Sequence, residues 1–266
     1  MDLIEIQKIG ISAAYEAAEI LLSYFGKISE YDKKGATDLV TRADIESEKA
    51  IIQTIRKHFP DHTIIAEESG LNQGIPRYQW IVDPLDGTTN FAHHLALCCI
   101  SIAFAIEDRI VVGIIFNPMT DELFTATDGN GAFLNERPIS VSETQTVSES
   151  LLVTGFPYHF KDIFDSIMAR FENCLNAAQG VRRLGSAALD LCYVACGRFD
   201  AFWEQKLNPW DTAAGYLIAK EAGASVTDFS NTPFTLDKKE ILATNGQIHQ
   251  EMLELMKIKI KDNKSK

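Results

Sequence analysis

The sequence predicts an α/β (α+β) chain, with an antiparallel sheet in its N-terminal half and a mixed, mostly parallel sheet in its C-terminal half. Two patterns predict this. Between residues 98 and 134, short apolar runs separated by turn residues read as an antiparallel meander. From Leu151 onward, strands alternate with helical segments, the pattern of a mostly parallel sheet. At 266 residues the chain is long enough for one large domain or two small ones. Its 46% hydrophobic and 23% charged residues are those of an ordinary globular protein.

Residues 2–25 read as a helix. Ile6, Ile9, Ala13, Ala17, Ile20, Leu21 and Tyr24 recur at helical spacing, and Gly26 ends it. Residues 31–38 are a polar loop, either a solvated connector or a flap that brings Lys34 and Asp38 towards a site. A second helix covers residues 45–58, with Thr41 or Asp44 as its cap and Ala50, Ile51, Thr54, Ile55 and Phe59 on its buried side. His58 and His62 show no evident partner and are expected at the surface. Residues 63–66 form a short strand that ends in Glu67-Glu68-Ser69-Gly70, and residues 70–77 are a loop. The apolar run Trp80-Ile81-Val82 closes the next strand, because Pro84 cannot donate to a sheet ladder.

Strands at 98–105 and 111–116 pair through a hairpin at Glu107-Asp108-Arg109, and strands at 122–126 and 132–134 follow. Residues 138–150 turn polar and mark the expected boundary between two subdomains. Beyond it come a strand (151–155), a helix (162–178), a short strand (181–184), a helix (186–196) and a strand (199–204). Pro209 opens a further helix to residue 222, which Asp211 suits as an N-cap. A turn at Gly223 leads to a strand, then a buried strand (241–245), a closing helix (248–256) and a basic, frayed tail (257–266).

The chemistry concentrates in Asp83-Pro84-Leu85-Asp86-Gly87-Thr88-Thr89-Asn90. Two carboxylates three residues apart, a main-chain carbonyl between them and two hydroxyls just after are oxygen donors of the kind that hard divalent cations take. Gly87 allows a tight turn, and backbone N–H groups after it face an anion if they open a helix. Metal ligands beside an anion pocket suggest phosphate ester chemistry. Asp-Gly is also a common hairpin signal, so the metal reading gains weight only from further acidic strand ends. Glu67 and Glu68 supply one such end, and whether strand pairing brings it to Asp83 is open. His93 and His94 are rim residues or ligands.

The net charge of −12 argues against a nucleic-acid surface. It does not argue against phosphate ligands, because bound cations reverse the local sign. Cys98, Cys99, Cys174, Cys192 and Cys196 are odd in number and not spaced as a disulfide framework, which points to a reducing compartment. Cys192 and Cys196 read as core residues rather than a zinc site. There is no basic, apolar leader pattern and no apolar run of about 18 residues, so the expected location is cytoplasmic and no membrane partner is expected.

Glu67-Glu68-Ser69, the segment 83–90 and Trp210-Asp211-Thr212-Ala213-Ala214-Gly215 occur in order, joined by Arg182-Arg183-Leu184-Gly185-Ser186-Ala187-Ala188-Leu189-Asp190-Leu191. Together they resemble the inositol monophosphatase family over residues 5–255, and most of all its bacterial members, some of which are called extragenic suppressor proteins. The resemblance implies one domain over 1–266, a layered α/β/α/β/α sandwich, usually a homodimer. Residues 1–140 would carry the metal and phosphate site, and 141–266 the substrate pocket and dimer side. It implies two or three Mg²⁺ ions and sensitivity to lithium. Glu67, Asp83 and the Leu85 carbonyl would hold one ion, and Asp83, Asp86 and Asp211 a second, with a weaker third near Glu67. Gly87 and Thr88 amides would bind phosphate, and Thr88 with Glu67 would orient the attacking water. Asp44 would hydrogen-bond Thr88, while Asp86, Ala187 and Glu204 would contact inositol.

The activity so implied is Mg²⁺-dependent hydrolysis of myo-inositol monophosphate. The competing esters are fructose 1,6-bisphosphate, histidinol phosphate, 3′-phosphoadenosine phosphate and NADP, and Glu204 would repel a second phosphate. Residues 93–99 differ from the family's commoner sequence and residues 205–208 are variable within it, and both leave substrate preference open. Some bacterial members join RNA polymerase antitermination complexes, so a binding role is the alternative, with Arg183 near the dimer interface as the surface to test.

Overall fold

Period-two alternation along the strands sorts the apolar side chains onto opposite sheet faces, and those faces define the architecture. The structure, a computed structural model, describes residues 2–27, 32–33, 39–40, 42–157 and 159–258. Lys34, Asp38, Thr41 and tail residues 259–266 lie outside the described residues.

In chain order the elements are α1 (Leu3–Tyr24), β1 (Asp32–Lys33), β2 (Leu39–Val40), α2 (Arg42–His58), β3 (His62–Ala66), β4 (Gly70–Asn72), β5 (Ile75–Asp86) and α3 (Thr88–Ala92). Then come β6 (Cys99–Ile106), β7 (Arg109–Asn117), β8 (Glu122–Thr127), β9 (Ala132–Leu134), β10 (Arg137–Ile139), β11 (Leu151–Thr154), α4 (Phe164–Ala177) and β12 (Gly180–Arg182). The last are α5 (Ala187–Ala195), β13 (Ala201–Gln205), α6 (Pro209–Glu221), β14 (Ser225–Thr227), β15 (Glu240–Thr244) and α7 (His249–Met256).

An eight-stranded sheet runs in the order β10-β9-β8-β7-β6-β5-β3-β4, and a five-stranded sheet in the order β12-β11-β13-β15-β14. On one face of the larger sheet, Trp80, Val82, Ile102 and Phe104 pack against α1 and α2 through Ala14, Leu21, Ile51 and Ile55. From its other face Ile81 and Ala103 meet Leu191 of α5 and Leu217 of α6, which also meet Val153 and Phe202 of the smaller sheet. Ala201, Trp203 and Leu242 cover that sheet's outer face, with Cys174 of α4 and Met252 of α7. The result is a five-layer α/β/α/β/α sandwich.

The larger sheet is antiparallel except that β3 pairs with β5 in parallel. The smaller sheet is mixed, with β11 parallel to both β12 and β13 and β15 antiparallel to both β13 and β14.

Several sequence expectations change. Pro84 does not end its strand: β5 continues to Asp86, and the ladder to β6 accommodates it with a shift in register between Asp83 and Asp86. Residues 70–77 are not a loop but β4 and the start of β5, because β4 turns back on β3. Asp44 is not a cap, since α2 begins at Arg42 and Asp44 lies in its first turn.

His62 is buried, not at the surface. Its Nδ1 accepts a hydrogen bond from Trp80 Nε1 (3.1 Å), and its ring stacks on Phe59 at 4.7 Å. Burial pushes its pKa down, helped by Arg56, so it is held as the neutral ring with the proton on Nε2. His62→Ala deletes the stack and leaves the indole N–H of fully buried Trp80 unpaired. It is expected to destabilise the fold by about 2–4 kcal/mol in urea unfolding; a change under about 0.5 kcal/mol would contradict this role.

Candidate active site

The parallel ladder of β3 and β5 ends with Ala66 opposite Val82. Glu67 N donates to Val82 O at 3.1 Å, so the acidic end of β3 comes to lie beside Asp83. The question left open by the sequence is thereby answered: parallel pairing puts both acidic strand ends at one edge. Gly87 follows at φ 91°, a left-handed conformation that suits glycine, and a Cβ there would meet Leu97 O at 2.8 Å. Thr88 then opens α3. Its Oγ1 lies 3.1 Å from two acceptors, Asp44 Oδ1 and Leu85 O.

Two helices of the middle layer complete the site. Asp86 Oδ2 accepts from Ser186 Oγ (2.7 Å) and from Ala188 N (2.8 Å) at the start of α5. Ser186 is also the N-cap of that helix. Asp211 lies in the first turn of α6, but the N-cap is Asn208, whose backbone N–H donates to Asp211 Oδ2 at 2.7 Å. Asp211 therefore acts as the third residue of a capping box rather than as the cap.

A cavity of about 300 Å³ opens here, lined by Glu67, Asp86, Arg183, Ala187, Glu204 and Asp211 among others. Asp83, Thr88 and Asp44 are buried and stand behind that lining. Arg183 is on the cavity wall. His93 and His94 are exposed. A larger hollow of about 770 Å³ against Tyr216 and Phe234 holds none of these acidic residues.

Burial, then the charges of Glu67, Asp86 and Asp211, pushes Asp83 well above the usual carboxylate range. Burial raises Asp86 to about 6 against the opposing hydrogen bonds from Ser186 and Ala188, and raises Asp211 to about 8 with help from Asp86 and Glu67. Glu204 is pushed well up by burial, Asp211 and Asp86, with Arg183 opposing. Burial is the largest cause for each group, and neighbouring carboxylates add to it, an arrangement in which a bound cation would be favoured. The donor set is all hard oxygen, which suits Mg²⁺ or Ca²⁺ rather than softer metals. As the side chains stand, no three His, Cys, Asp or Glu among the described residues close around one point.

The sequence reading missed two residues. Ser186 reads only as the start of a helix; its bond to Asp86, 100 residues away, leaves no local signal. Asp190 is fully buried, and among the described residues neither carboxyl oxygen has a hydrogen-bond partner. Burial, with Glu204 and Asp86, pushes its pKa well up, with Arg183 opposing.

In the folded protein these carboxyls bind protons more tightly than in the unfolded chain, so folding stability falls as pH rises between the unfolded and folded values. After treatment with chelator, stability is expected to decline between about pH 4 and pH 8, with Asp86 and Asp211 titrating near 6 and 8. Asp211→Asn should flatten the upper part of that decline. Thermal unfolding across pH, with and without chelator, measures it; a chelated wild type and variant with identical pH profiles would refute the assignment.

Comparison with known proteins agrees with this geometry. The model of the inositol monophosphatase family matches residues 2–261. An inositol-1-monophosphatase from Synechocystis sp. is 47% identical over 247 residues, covering 92% of this chain and 86% of that protein. A Haemophilus influenzae protein named Nus factor SuhB is 42% identical over 92% of this chain and 93% of its own. The crystal structure of extragenic suppressor protein suhB from Bartonella henselae superposes with a TM-score of 0.93 at 38% identity, covering 96% of this chain and all of that one. The five-layer fold, the acidic strand ends and these matches place the chain in the inositol monophosphatase family.

Proposed function

We propose that the protein is a Mg²⁺-dependent phosphomonoesterase that hydrolyses myo-inositol monophosphate to inositol and phosphate. The observation that carries this reading is the cluster of carboxylates, Glu67, Asp83, Asp86 and Asp211, gathered at one cavity with the Thr88–Asp44 pair. Glu67, Asp83, the Leu85 carbonyl, Asp86 and Asp211 would hold two Mg²⁺ ions, with a weaker third near Glu67. Bound there, Mg²⁺ supplies the charge that offsets the phosphate dianion and the leaving alkoxide, and it acidifies a water.

The chain's own groups do the rest. Thr88 has one proton to give; given to Asp44, it leaves the Thr88 oxygen free to accept from the attacking water. Glu67 takes that water's other proton, so the two groups aim a lone pair at phosphorus. The Gly87 and Thr88 amides take phosphate oxygens. Asp86, Ala187 and Glu204 face the alcohol, and Glu204 disfavours a second phosphate. In this reading residues 1–140 carry the phosphate site and the metal ligands other than Asp211, and 141–266 carry most of the substrate pocket.

The reading extends to lithium sensitivity, a cytoplasmic location and a homodimer. All five cysteines are free, in keeping with a reducing compartment. Among the described residues no helix is long and apolar enough to cross a membrane. Exposed Phe164, Met168 and Leu175 on α4 supply apolar surface for a second copy. A second reading follows from the relative named Nus factor: binding to RNA polymerase with antitermination factors, which a pull-down with purified polymerase tests.

Two experiments test the main reading. Phosphate release from D-myo-inositol 1-phosphate and the four competing esters, titrated with Mg²⁺ with and without Li⁺, should be Mg²⁺-dependent and blocked by Li⁺. Asp86→Asn should lower kcat by at least about 100-fold. No release from any ester by Mg²⁺-saturated protein would end the proposal. Second, a Cβ at Gly155 would fall 2.0 Å from Glu204 Oε2. Gly155→Ala should therefore push the carboxylate aside and raise KM for inositol phosphate about tenfold, while leaving an ester without ring hydroxyls unaffected.

A further inference from the structure

Helix α2 presents two buried carboxylates one turn apart, at the i and i+4 positions of one face. Asp44 is 1% exposed and Glu48 is 3% exposed. Asp44 accepts from the Thr88 hydroxyl. Glu48 reaches the turn after Glu67: its Oε2 accepts from Glu68 N at 2.8 Å and its Oε1 from Ser69 N at 2.9 Å. Both oxygens are thereby spent on two successive backbone donors, an arrangement that fixes direction as well as distance. Turning the 68–69 peptide away would leave a buried carboxylate unpaired, which is expensive.

Glu67 is therefore gripped from two sides. Its own N–H is held by Val82 O of β5, and the next two N–H groups are held by α2. Its side chain, between the two grips, lines the cavity. We infer that Glu48 is a positioning residue for Glu67. With Asp44 it makes α2 the rigid element that sets the Glu67 carboxylate and the Thr88 hydroxyl relative to each other. The inference rests on the proposed function for what Glu67 does, but the grip itself does not.

The merely structural alternative is that Glu48 caps a turn and contributes stability alone. Glu48→Gln separates the two. The amide keeps one acceptor and turns an NH₂ towards the other backbone N–H, so the turn shifts without loss of side-chain volume. Positioning predicts Mg²⁺ binding to chelator-stripped protein about 10-fold weaker by calorimetry without substrate, kcat down by about 10-fold or more, and KM for the ester within about twofold. A lower melting temperature with unchanged Mg²⁺ affinity and unchanged kcat would overturn it. Calorimetry keeps this inference separate from the function: wild-type protein that bound Mg²⁺ but cleaved no ester would sink the phosphatase reading, while the comparison of Mg²⁺ affinities would still decide the role of Glu48. Should Glu48→Gln not fold, Glu48→Asp, which keeps the charge but shortens the reach, decides by the same two readings: Mg²⁺ affinity and kcat are both expected to fall, and values of both equal to wild type would overturn the inference.

Discussion

The structure depends on one rung of a parallel ladder. Glu67 can face Asp83 only because β3 runs parallel to β5, with Ala66 opposite Val82 and the Glu67 N–H on the Val82 carbonyl. Antiparallel pairing would send the two acidic ends to opposite edges of the sheet. A parallel pair needs a crossover connection, and here β4, antiparallel to β3, carries the chain back before β5 begins. A one-residue slip would turn Ile81 away from the middle layer and Trp80 and Val82 away from α1 and α2. The register that assembles the site is therefore the register that fills two hydrophobic layers, and the core enforces the chemistry.

That enforcement is needed because the site opposes folding. Burial first, and neighbouring carboxylates after it, raise the proton affinity of Asp83, Asp86, Asp211 and Glu204, and Asp190 adds a buried carboxyl with no hydrogen-bond partner among the described residues. Local interactions offset part of this: the bonds of Ser186 and Ala188 to Asp86 and of Asn208 to Asp211. What they leave uncompensated is the affinity available to a bound cation, since any ion that binds only the folded state stabilises it by mass action.

Much of this was legible in the sequence. The segment 83–90 announced itself because its carboxylates, carbonyl, glycine and hydroxyls are adjacent in the chain, and Asp211 because a proline and a helix start flank it. What could not be read depends on pairs distant in sequence. His62 looked unpartnered because Trp80 lies 18 residues on. Nothing local marks Glu48, whose partners lie 20 and 21 residues on. Pro84 was expected to stop β5, since the rule about ladder donors is local, whereas the register shift that tolerates it belongs to the pairing with β6. Asp44 and Asp211 were each expected as caps because an acidic residue near a helix start satisfies the same pattern at the cap and two or three residues inside it.

The placement of the two middle-layer helices gives a reason for the sandwich itself. Asp86 binds the backbone N–H of Ala188 in the first turn of α5, and Asp211 sits in the first turn of α6. Both helices thus begin at the acidic cluster, with the positive ends of their dipoles towards it. Each is buried on both sides, α5 through Leu191 and α6 through Leu217, between the two sheets, so neither can swing away to relieve crowding among the carboxylates. A two-layer fold could supply the strand ends but would leave these helices with a solvent face. Holding four mutually repelling carboxylates at fixed positions takes helix starts that cannot move, and a helix layer packed between two sheets provides them.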